Sequence, residues 1–261
     1  MMLTSKEITK KWETITETKS GLPAGRCFLL AVLAGMFIAF GAMGATVIQS
    51  LAQAGLGKLL GASVFPTGLM LVVMAGGELF TGNCLMAGPA LIGKAKWPGI
   101  LRNWGIAYLG NMLGAFLVAV IATAGGVLQS HGQATADLAL TIAANKSNLS
   151  FLDALMKGIG CNILVCGAVF MATGAQSGGS KAVLCFFPIM LFVLSGLEHS
   201  IANMYYVPAG LMMQVMPRYG VETARVTVDA YLLNNLLPVT LGNILGGAGL
   251  AAAYAGIHRE K

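Results

Sequence analysis

The fold of this chain is decided by a short polar stretch within a long apolar segment, Gly196-Leu197-Glu198-His199-Ser200-Ile201-Ala202-Asn203. A carboxylate and an imidazole stand side by side in it. A second stretch in the first half of the chain has the same order, Gly76-Gly77-Glu78-Leu79-Phe80-Thr81-Gly82-Asn83. In both stretches glycine comes before the glutamate, and an asparagine follows it by the same number of positions. Ionisable groups deep in apolar sequence are costly, so both stretches are candidate functional sites.

The composition is that of a polytopic membrane protein. Of the 261 residues, 56% are hydrophobic and 10% are charged, against about 25% charged in an average soluble domain. Several uncharged runs exceed the roughly 18 residues that mark a transmembrane helix, which argues against a soluble protein with an apolar core. The net charge of +6 does not indicate nucleic-acid binding, because basic residues beside apolar spans set membrane orientation.

Six membrane spans are predicted, of which the second and the fifth are broken. The predicted order is helix one in Cys27–Gly57, broken helix two in Lys58–Lys94, helix three in Asn103–Gly126, helix four in Gly158–Thr173, broken helix five in Lys181–Arg218 and helix six in Ala230–Ile257. A continuous helix over the second region would be roughly 54 Å long, against a hydrocarbon core of roughly 30 Å. Either half alone is too short to cross. A break at each glutamate stretch resolves both problems.

The chain divides into a polar N-terminal segment (residues 1–25), a six-span domain (residues 26–257) and a short tail (residues 258–261). In the N-terminal segment, Ile8, Trp12 and Ile15 recur at helical spacing. This pattern predicts an amphipathic helix on the cytoplasmic membrane surface, with a frayed terminus as the alternative. Leu128 to Ser150 is predicted to be a more polar connection between helices three and four.

The chain is predicted to lie in the cytoplasmic (inner) membrane, with both termini on the cytoplasmic side. Six spans place them on one side, and positively charged residues favour the inner side. Eleven basic residues fall in the inner segments, namely Lys6, Lys10, Lys11, Lys19, Arg26, Lys94, Lys96, Arg102, Lys181, Arg259 and Lys261. Five fall in the outer segments, namely Lys58, Lys146, Lys157, Arg218 and Arg225.

The polar residues also show an internal repeat. Asn103 precedes the run Leu109-Gly110-Asn111-Met112-Leu113-Gly114, and Asn235 precedes Leu241-Gly242-Asn243-Ile244-Leu245-Gly246. Helices two and three therefore correspond to helices five and six. Because each repeat has three spans, the two repeats have opposite orientations in the membrane. Inverted repeats with discontinuous helices are typical of transport proteins. The small-residue pairs in these runs predict close packing of helix backbones.

Four motifs in the chain resemble those of the formate/nitrite transporter family. They are Met74-Ala75-Gly76-Gly77-Glu78-Leu79-Phe80-Thr81-Gly82-Asn83, Glu198-His199-Ser200-Ile201-Ala202-Asn203-Met204, Lys157-Gly158-Ile159-Gly160-Cys161-Asn162-Ile163-Leu164-Val165-Cys166 and Val239-Thr240-Leu241-Gly242-Asn243. The resemblance covers essentially the whole chain. It implies an all-α, aquaporin-like protomer that assembles as a homopentamer, each protomer with its own pore for small monovalent anions. Formate, nitrite and hydrosulfide are the implied substrates.

His199 is predicted to exchange a proton with the substrate. A small anion pays a large desolvation cost in hydrocarbon unless its charge is neutralised. A proton delivered within the pore lets a weak acid cross as a neutral molecule, and imidazole is suited to exchange protons near neutral pH. His199 is the only histidine in a predicted span, since His131 and His258 lie in connections. A structural core histidine is the alternative, but the position at a helix break favours function.

The resemblance assigns roles to further residues of the pore. Thr81 matches the pore threonine of the family, and its hydroxyl is also suited to cap the half-helix that follows. Asn162 and Asn243 match pore-facing asparagines, with interhelical packing as the alternative. Lys146 matches a lysine near the pore mouth, where a cation attracts anions. An ordinary interfacial lysine is the alternative.

The glutamates and the apolar pore residues have supporting roles in this prediction. Glu78 and Glu198 are predicted to hold the helix breaks by accepting backbone N–H bonds at the half-helix N-termini, rather than to carry protons. Apolar constrictions on both sides of the histidine would exclude hydrated ions. The residues that match the constriction positions of the family are Phe65, Leu69, Leu79, Val165 and Phe192. Packing alone is the alternative for each.

Two other classes of protein were weighed. An aquaporin-like channel for small neutral solutes is the alternative within transport, although neither break contains Asn-Pro-Ala. A membrane redox enzyme would need haem or metal ligands, and the five cysteines lack paired spacing. The chain is therefore predicted to be no enzyme and to need no cofactor or metal. Its expected partners are the anion, protons, the lipid bilayer and further copies of itself, and no nucleic acid.

Overall fold

The computed structural model describes residues 2–216 and 226–259. Within these ranges the regular structure is helical, which confirms the predicted all-α class. Arg218, Arg225 and Lys261, three of the basic residues in the charge argument, lie outside the described residues.

The helices follow one another with short connections. In chain order they are α1 (Ser5–Ser20), α2 (Ala24–Ser50), α3 (Ala54–Val64), α4 (Thr67–Ala75), α5 (Phe80–Asn83), a 3-10 helix (Cys84–Met86), α6 (Ala87–Leu91), α7 (Trp97–Ala124), α8 (Gln133–Ser147), α9 (Phe151–Gly174), α10 (Gly178–Leu194), α11 (Ser200–Gln214), α12 (Val228–Ala230), a π-helical segment (Tyr231–Leu236) and α13 (Leu237–Ile257).

Among the described residues, five stretches of helix are long and apolar enough to cross a membrane. They are Ala24–Ser50, Ala54–Ala75, Trp97–Ala124, Phe151–Gly174 and Val228–Ile257. A sixth helix, Gly178–Leu194, is apolar but shorter. This set is compatible with the six predicted spans, and the exact count stays a prediction.

Both glutamate stretches lie where the helical path is interrupted. α4 ends at Ala75 and α5 begins at Phe80, while α10 ends at Leu194 and α11 begins at Ser200. The glycine two positions before each glutamate has a positive φ, 88° at Gly76 and 69° at Gly196. This left-handed region is open to glycine without steric cost. The glycine in each stretch therefore turns the chain out of the helix.

Two predicted segment boundaries are wrong. Helix one ends at Ser50 rather than Gly57, because the chain turns there and begins α3 at Ala54. The segment Leu128–Ser150 was predicted to be a polar connection, but it contains α8. Its alanines and threonines pack against α11, so that it is a structural helix of the protein.

Helix four also begins earlier than predicted. It starts at Phe151 rather than Gly158, because the Ser150 hydroxyl accepts a hydrogen bond from the backbone N–H of Asp153 (3.1 Å). Such a cap satisfies one of the free donors at a helix N-terminus.

The amphipathic helix α1 packs on the protein. Its apolar residues Ile8 and Trp12 are 2% and 4% exposed, and Lys11 Nζ donates to the carbonyl of Thr173 (3.2 Å). The prediction that this face lies on the membrane surface is therefore wrong. The start of α1 is fixed by Thr4, whose backbone N–H and hydroxyl both donate to the Glu7 carboxylate. These hydrogen bonds lower the pKa of that carboxyl.

Each repeat contains a pair of long helices that pack side by side, and the two pairs correspond. α2 packs along α7, and α9 packs along α13. A Cβ added at Gly114 of α7 would overlap the carbonyl oxygen of Val32, and one at Gly246 of α13 would overlap that of Ile159. The predicted close packing of backbones at these glycines is confirmed, and it brings the two members of each pair together without intervening side chains.

Replacing Gly114 with alanine is expected to lower the free energy of unfolding by about 1–3 kcal/mol, the usual cost of overpacking. The added methyl group would overlap backbone atoms of α2, and these cannot turn aside as the end of a flexible side chain can. Gly105→Ala, in the same helix, is the matched control because no atom lies within 4 Å of the added Cβ. Thermal unfolding in detergent measures both variants. Equal melting temperatures would contradict the close contact.

Candidate functional site

Each helix that follows a break is held at its first residue by an asparagine of the neighbouring long helix. At the first break, Asn111 Oδ1 accepts from the backbone N–H of Phe80 (2.9 Å). The amide nitrogen of Asn111 donates to the carbonyls of Ala31 (2.7 Å) and Glu78 (2.9 Å). One side chain thus ties α7, α2 and the break together.

Asn243 makes the corresponding contacts at the second break. Its Oδ1 accepts from the backbone N–H of Ser200 (2.9 Å), and its amide nitrogen donates to the carbonyls of Gly158 (2.8 Å) and Glu198 (3.0 Å). Both amide hydrogens of Asn243 and its oxygen thus serve the backbone, which agrees with the alternative of interhelical packing, and the pore-facing role stays a prediction.

The carboxylate of Glu78 lies among side-chain donors. Lys19 Nζ is 2.6 Å from Oε1, and the amide nitrogens of Asn83 and Asn103 lie 2.8 Å and 3.0 Å from Oε2. Glu78 is only 4% exposed. A buried carboxylate needs such partners, since an unpaired buried charge is strongly unfavourable.

Glu198 has the same surroundings in the second repeat. Lys146 Nζ lies 3.0 Å and 2.9 Å from its two oxygens, and Asn203 Nδ2 and Asn235 Nδ2 donate to Oε2 over 2.7 Å and 3.3 Å. Asn235 belongs to the π-helical segment, whereas its counterpart in the first repeat, Asn103, lies in the regular helix α7. We call each group of a glutamate, a lysine and two asparagines a carboxylate cluster.

These clusters correct the predicted bonding of the glutamates. The backbone N–H of the first residue of each half-helix donates to an asparagine, and within the described residues the carboxylates of Glu78 and Glu198 accept from side chains. Lys146 is an ion-pair partner that also lies over the ring of Tyr206, 5.2 Å from its centroid.

Lys19 was missed by the sequence interpretation, which counted it only as an inner charge. The signal was present, because Lys19 precedes α2 by about the same interval as that by which Lys146 precedes α9. The pairing of Asn103 and Asn235 with the carboxylates was also missed, although both asparagines were noted as part of the repeat.

The two breaks meet at a buried pair of side chains. Thr81 Oγ1 and His199 Nε2 are 2.8 Å apart, and these residues are 0% and 3% exposed. His199 Nδ1 accepts from the backbone N–H of Ala202 (3.1 Å) and so caps α11. In the neutral ring the proton must therefore lie on Nε2, from which it is donated to the threonine oxygen. The hydroxyl hydrogen of Thr81 is then not used in this contact, and it can be donated to another acceptor.

Asn162 supports the backbone of this centre. Its amide nitrogen donates to the carbonyls of Thr81 (3.1 Å) and Asn243 (2.6 Å), which joins the two breaks through α9. Its Oδ1 is buried and has no hydrogen-bond partner among the described residues, and the same is true of Ser200 Oγ. Buried polar atoms of this kind are candidate contacts for a water molecule or a passing substrate.

Two cavities approach the centre from opposite ends. The inner vestibule, of about 430 Å³, lies beside α1 and is lined in part by Trp12, Lys19, Val72, Glu78 and Leu79. The outer vestibule, of about 160 Å³, is lined in part by Phe65, Lys146, Phe192, Glu198 and His199. Each vestibule is therefore lined by the glutamate, the lysine and one asparagine of a carboxylate cluster.

Apolar side chains line both vestibules beside the centre. Phe65 and Phe192 pack edge to face with ring centroids 5.5 Å apart, and Phe192 lies 6.0 Å from the His199 ring. Leu79 is 3% exposed and lines the inner vestibule. Leu69 and Val165 are buried at 1% exposure. All five constriction residues are buried, and their role in selection stays a prediction.

The fold and the site define a multi-pass membrane channel or transporter with two inverted repeats. The sequence model of the formate/nitrite transporter family matches residues 6–256, so the chain belongs to this family. A probable formate transporter of Methanothermobacter thermautotrophicus is 38% identical over 93% of this chain and 92% of its own length. The formate channel FocA of Haemophilus influenzae is 36% identical, over 88% and 81%.

A solved structure agrees with this assignment. It is described as a pentameric formate channel with formate bound, and it is 35% identical to this chain with a TM-score of 0.79, over 90% of this chain and 96% of its own. These relatives are channels and transporters, which confirms that this protein is not an enzyme.

Proposed function

We propose that this protein conducts formate, or another small monovalent anion of a weak acid, through a pore in each protomer. The observation that carries the proposal is the buried contact of Thr81 with His199 between two vestibules. The relatives named as formate channels support formate as the substrate. Nitrite and hydrosulfide share its size, charge and weak basicity, so the same residues suit them.

Along the proposed path, an anion would meet a lysine in each vestibule and apolar side chains beside the centre. Lys19 and Lys146 stand in the two vestibules, where a cation raises the local concentration of anions. Each lysine is paired with a glutamate, which limits how tightly it holds an anion. The apolar side chains then exclude a hydrated ion. A neutral acid passes this region at a far lower cost than the anion does.

Proton transfer at the centre starts from the doubly protonated ring. The neutral ring holds its proton on Nε2, and loss of that proton would leave an imidazolate, which is too basic to form. A second proton on Nδ1 displaces the Ala202 N–H contact. Nε2 then gives its proton to Thr81 Oγ1 while the threonine hydroxyl gives its hydrogen to the anion. The anion becomes a neutral acid, and the ring is neutral with its remaining proton on Nδ1. The resting ring returns when a further proton reaches Nε2 through Thr81 and Nδ1 releases its own, which restores the contact with the Ala202 N–H.

Two further observations support the proposed assembly and orientation. The pentameric relative supports a homopentamer. Ser5 Oγ and His258 Nε2 are 3.0 Å apart, so both ends of the described chain lie at one end of the helix bundle. Lys6, Lys10 and Lys94 lie at that end too, which supports cytoplasmic termini in a cytoplasmic membrane.

Uptake into proteoliposomes that contain a pH-sensitive dye tests the proposed function. A panel of formate, nitrite, hydrosulfide, lactate and chloride is expected to show formate entry accompanied by a proton, and no entry of chloride. Thr81→Val, which removes the hydroxyl at nearly constant shape, is expected to slow formate uptake about tenfold, equivalent to about 1.4 kcal/mol in the barrier.

Thr81→Ser is the matched control, because it keeps the hydroxyl and should retain most of the uptake rate. Passage of glycerol without formate would instead indicate the aquaporin-like alternative. Equal uptake by the valine and serine variants would remove the threonine hydroxyl from the mechanism.

A further inference from the structure

A third cavity lies outside the pore, at the end of the bundle where α1 meets the end of α13. Its volume is about 380 Å³. Four cationic side chains and a single carboxylate line it among the described residues. They are Lys6, Lys10, Lys94, Arg259 and Glu13. An excess of positive charge in one concave site favours an anionic ligand.

The cavity is assembled from three separate segments whose contacts fix its shape. His258, which also lines it, is bonded to Ser5 Oγ (3.0 Å) and stacks on Tyr254 at an interplanar angle of 11°. Lys94 follows α6, and its backbone N–H donates to the carbonyl of Pro89 (2.8 Å). The cations therefore come from α1, from the turn after α6 and from the end of α13.

Apolar side chains stand next to this cavity on the surface of the bundle. Leu91 is 55% exposed and Ile257 is 72% exposed. Each directly precedes a residue that lines the cavity, Ile92 and His258. Trp97, at the same end, is 38% exposed, and tryptophan is enriched at the membrane interface. Exposed apolar and tryptophan side chains beside a cationic cavity are the combination that suits a site where phosphate groups meet acyl chains.

We propose that this cavity binds the phosphate head group of an anionic phospholipid, with Lys10, Lys94 and Arg259 around the phosphate and the acyl chains along Leu91 and Ile257. Basic pockets between helices at the cytoplasmic face bind such head groups. The lipid joins α1 to α6 and α13. Because α1 also supplies Lys19 to Glu78, the bound lipid stabilises the wall of the inner vestibule.

Calorimetric titration of the purified full-length protein in detergent tests this site. The probes are short-chain phosphatidylglycerol, phosphatidylcholine with the same chains, and inorganic phosphate. Phosphatidylglycerol is expected to bind at least tenfold more tightly than the other two. The double variant Lys10→Gln/Lys94→Gln is expected to weaken its binding about thirtyfold, from about fivefold per lysine at about 1 kcal/mol each.

Matched variants separate the site from general charge. Lys58→Gln/Lys96→Gln removes the same charge from exposed positions outside the cavity and should leave the affinity unchanged, and Lys10→Arg/Lys94→Arg should retain it. Formate uptake and the melting temperature in lipid-free detergent show that each variant is folded. Equal affinity in the glutamine variant would overturn the proposal. Phosphate binding as tightly as the lipid would overturn the lipid as its ligand.

Discussion

Replacing His199 with asparagine is expected to slow formate uptake about a hundredfold, the lower end of what a positioned proton donor contributes. The asparagine oxygen can take the place of Nδ1, which accepts from the Ala202 N–H over 3.1 Å, so the cap of α11 is kept. The asparagine side chain cannot take up and release a proton near neutral pH. The residual uptake is therefore expected to proceed without proton entry. Proteoliposome uptake of formate, recorded together with internal pH over a range of external pH, measures both effects.

His131→Asn is the matched control for this experiment. His131 is exposed and follows the end of α7, and the same substitution there should leave both uptake and proton entry unchanged. If the His199 variant carried formate with the wild-type pH dependence, proton exchange at His199 would be excluded. The proposal that the protein conducts the anion would still stand.

Glu198→Gln is expected to lower the free energy of unfolding by about 3 kcal/mol, the lower end for breaking a buried ion pair. The carboxylate accepts hydrogen bonds from Lys146, Asn203 and Asn235. A glutamine places its own NH₂ donor among these donors. It also leaves the ammonium of Lys146, whose side chain is 15% exposed, without a counter-ion. Thermal unfolding in detergent measures the loss.

The double variant Glu198→Gln/Lys146→Met tests whether the unpaired lysine charge causes the loss of stability in Glu198→Gln. It removes the stranded charge together with the carboxylate, so part of the lost stability should return. Glu78→Gln in the first repeat should behave in the same way, because Lys19 lies 2.6 Å from its carboxylate. A wild-type melting temperature for Glu198→Gln would show that the cluster does not stabilise the fold.

Local sequence patterns were sufficient to predict much of the architecture. A lone glutamate in an apolar run, with glycine before it, marks the place where α4 and α10 end. Small residues at a spacing of four predicted a close contact of helix backbones, which α7 makes with α2. Both features depend on neighbours in the sequence, so they can be recognised without tertiary structure.

The partners of the polar side chains could not be predicted in this way. α2 and α7 are apolar on all sides, so hydrophobic periodicity does not show which face points inward. The contact of Lys19 with Glu78 depends on how α1 folds back beneath the bundle, over 59 residues of sequence. The role of Asn243 likewise depends on the rotation of α13 against α9, which also decides that its amide serves the backbone.

The correspondence of the two carboxylate clusters extends the repeat to α1 and α8, which supply the two lysines. Each half of the chain is then a short helix followed by three predicted spans, but only the second half has a histidine in its break, where the first half has Leu79. Two identical halves related by a two-fold axis would carry such a ring twice or not at all. A single ring at the centre therefore requires two halves that are joined in one chain and are free to differ in sequence.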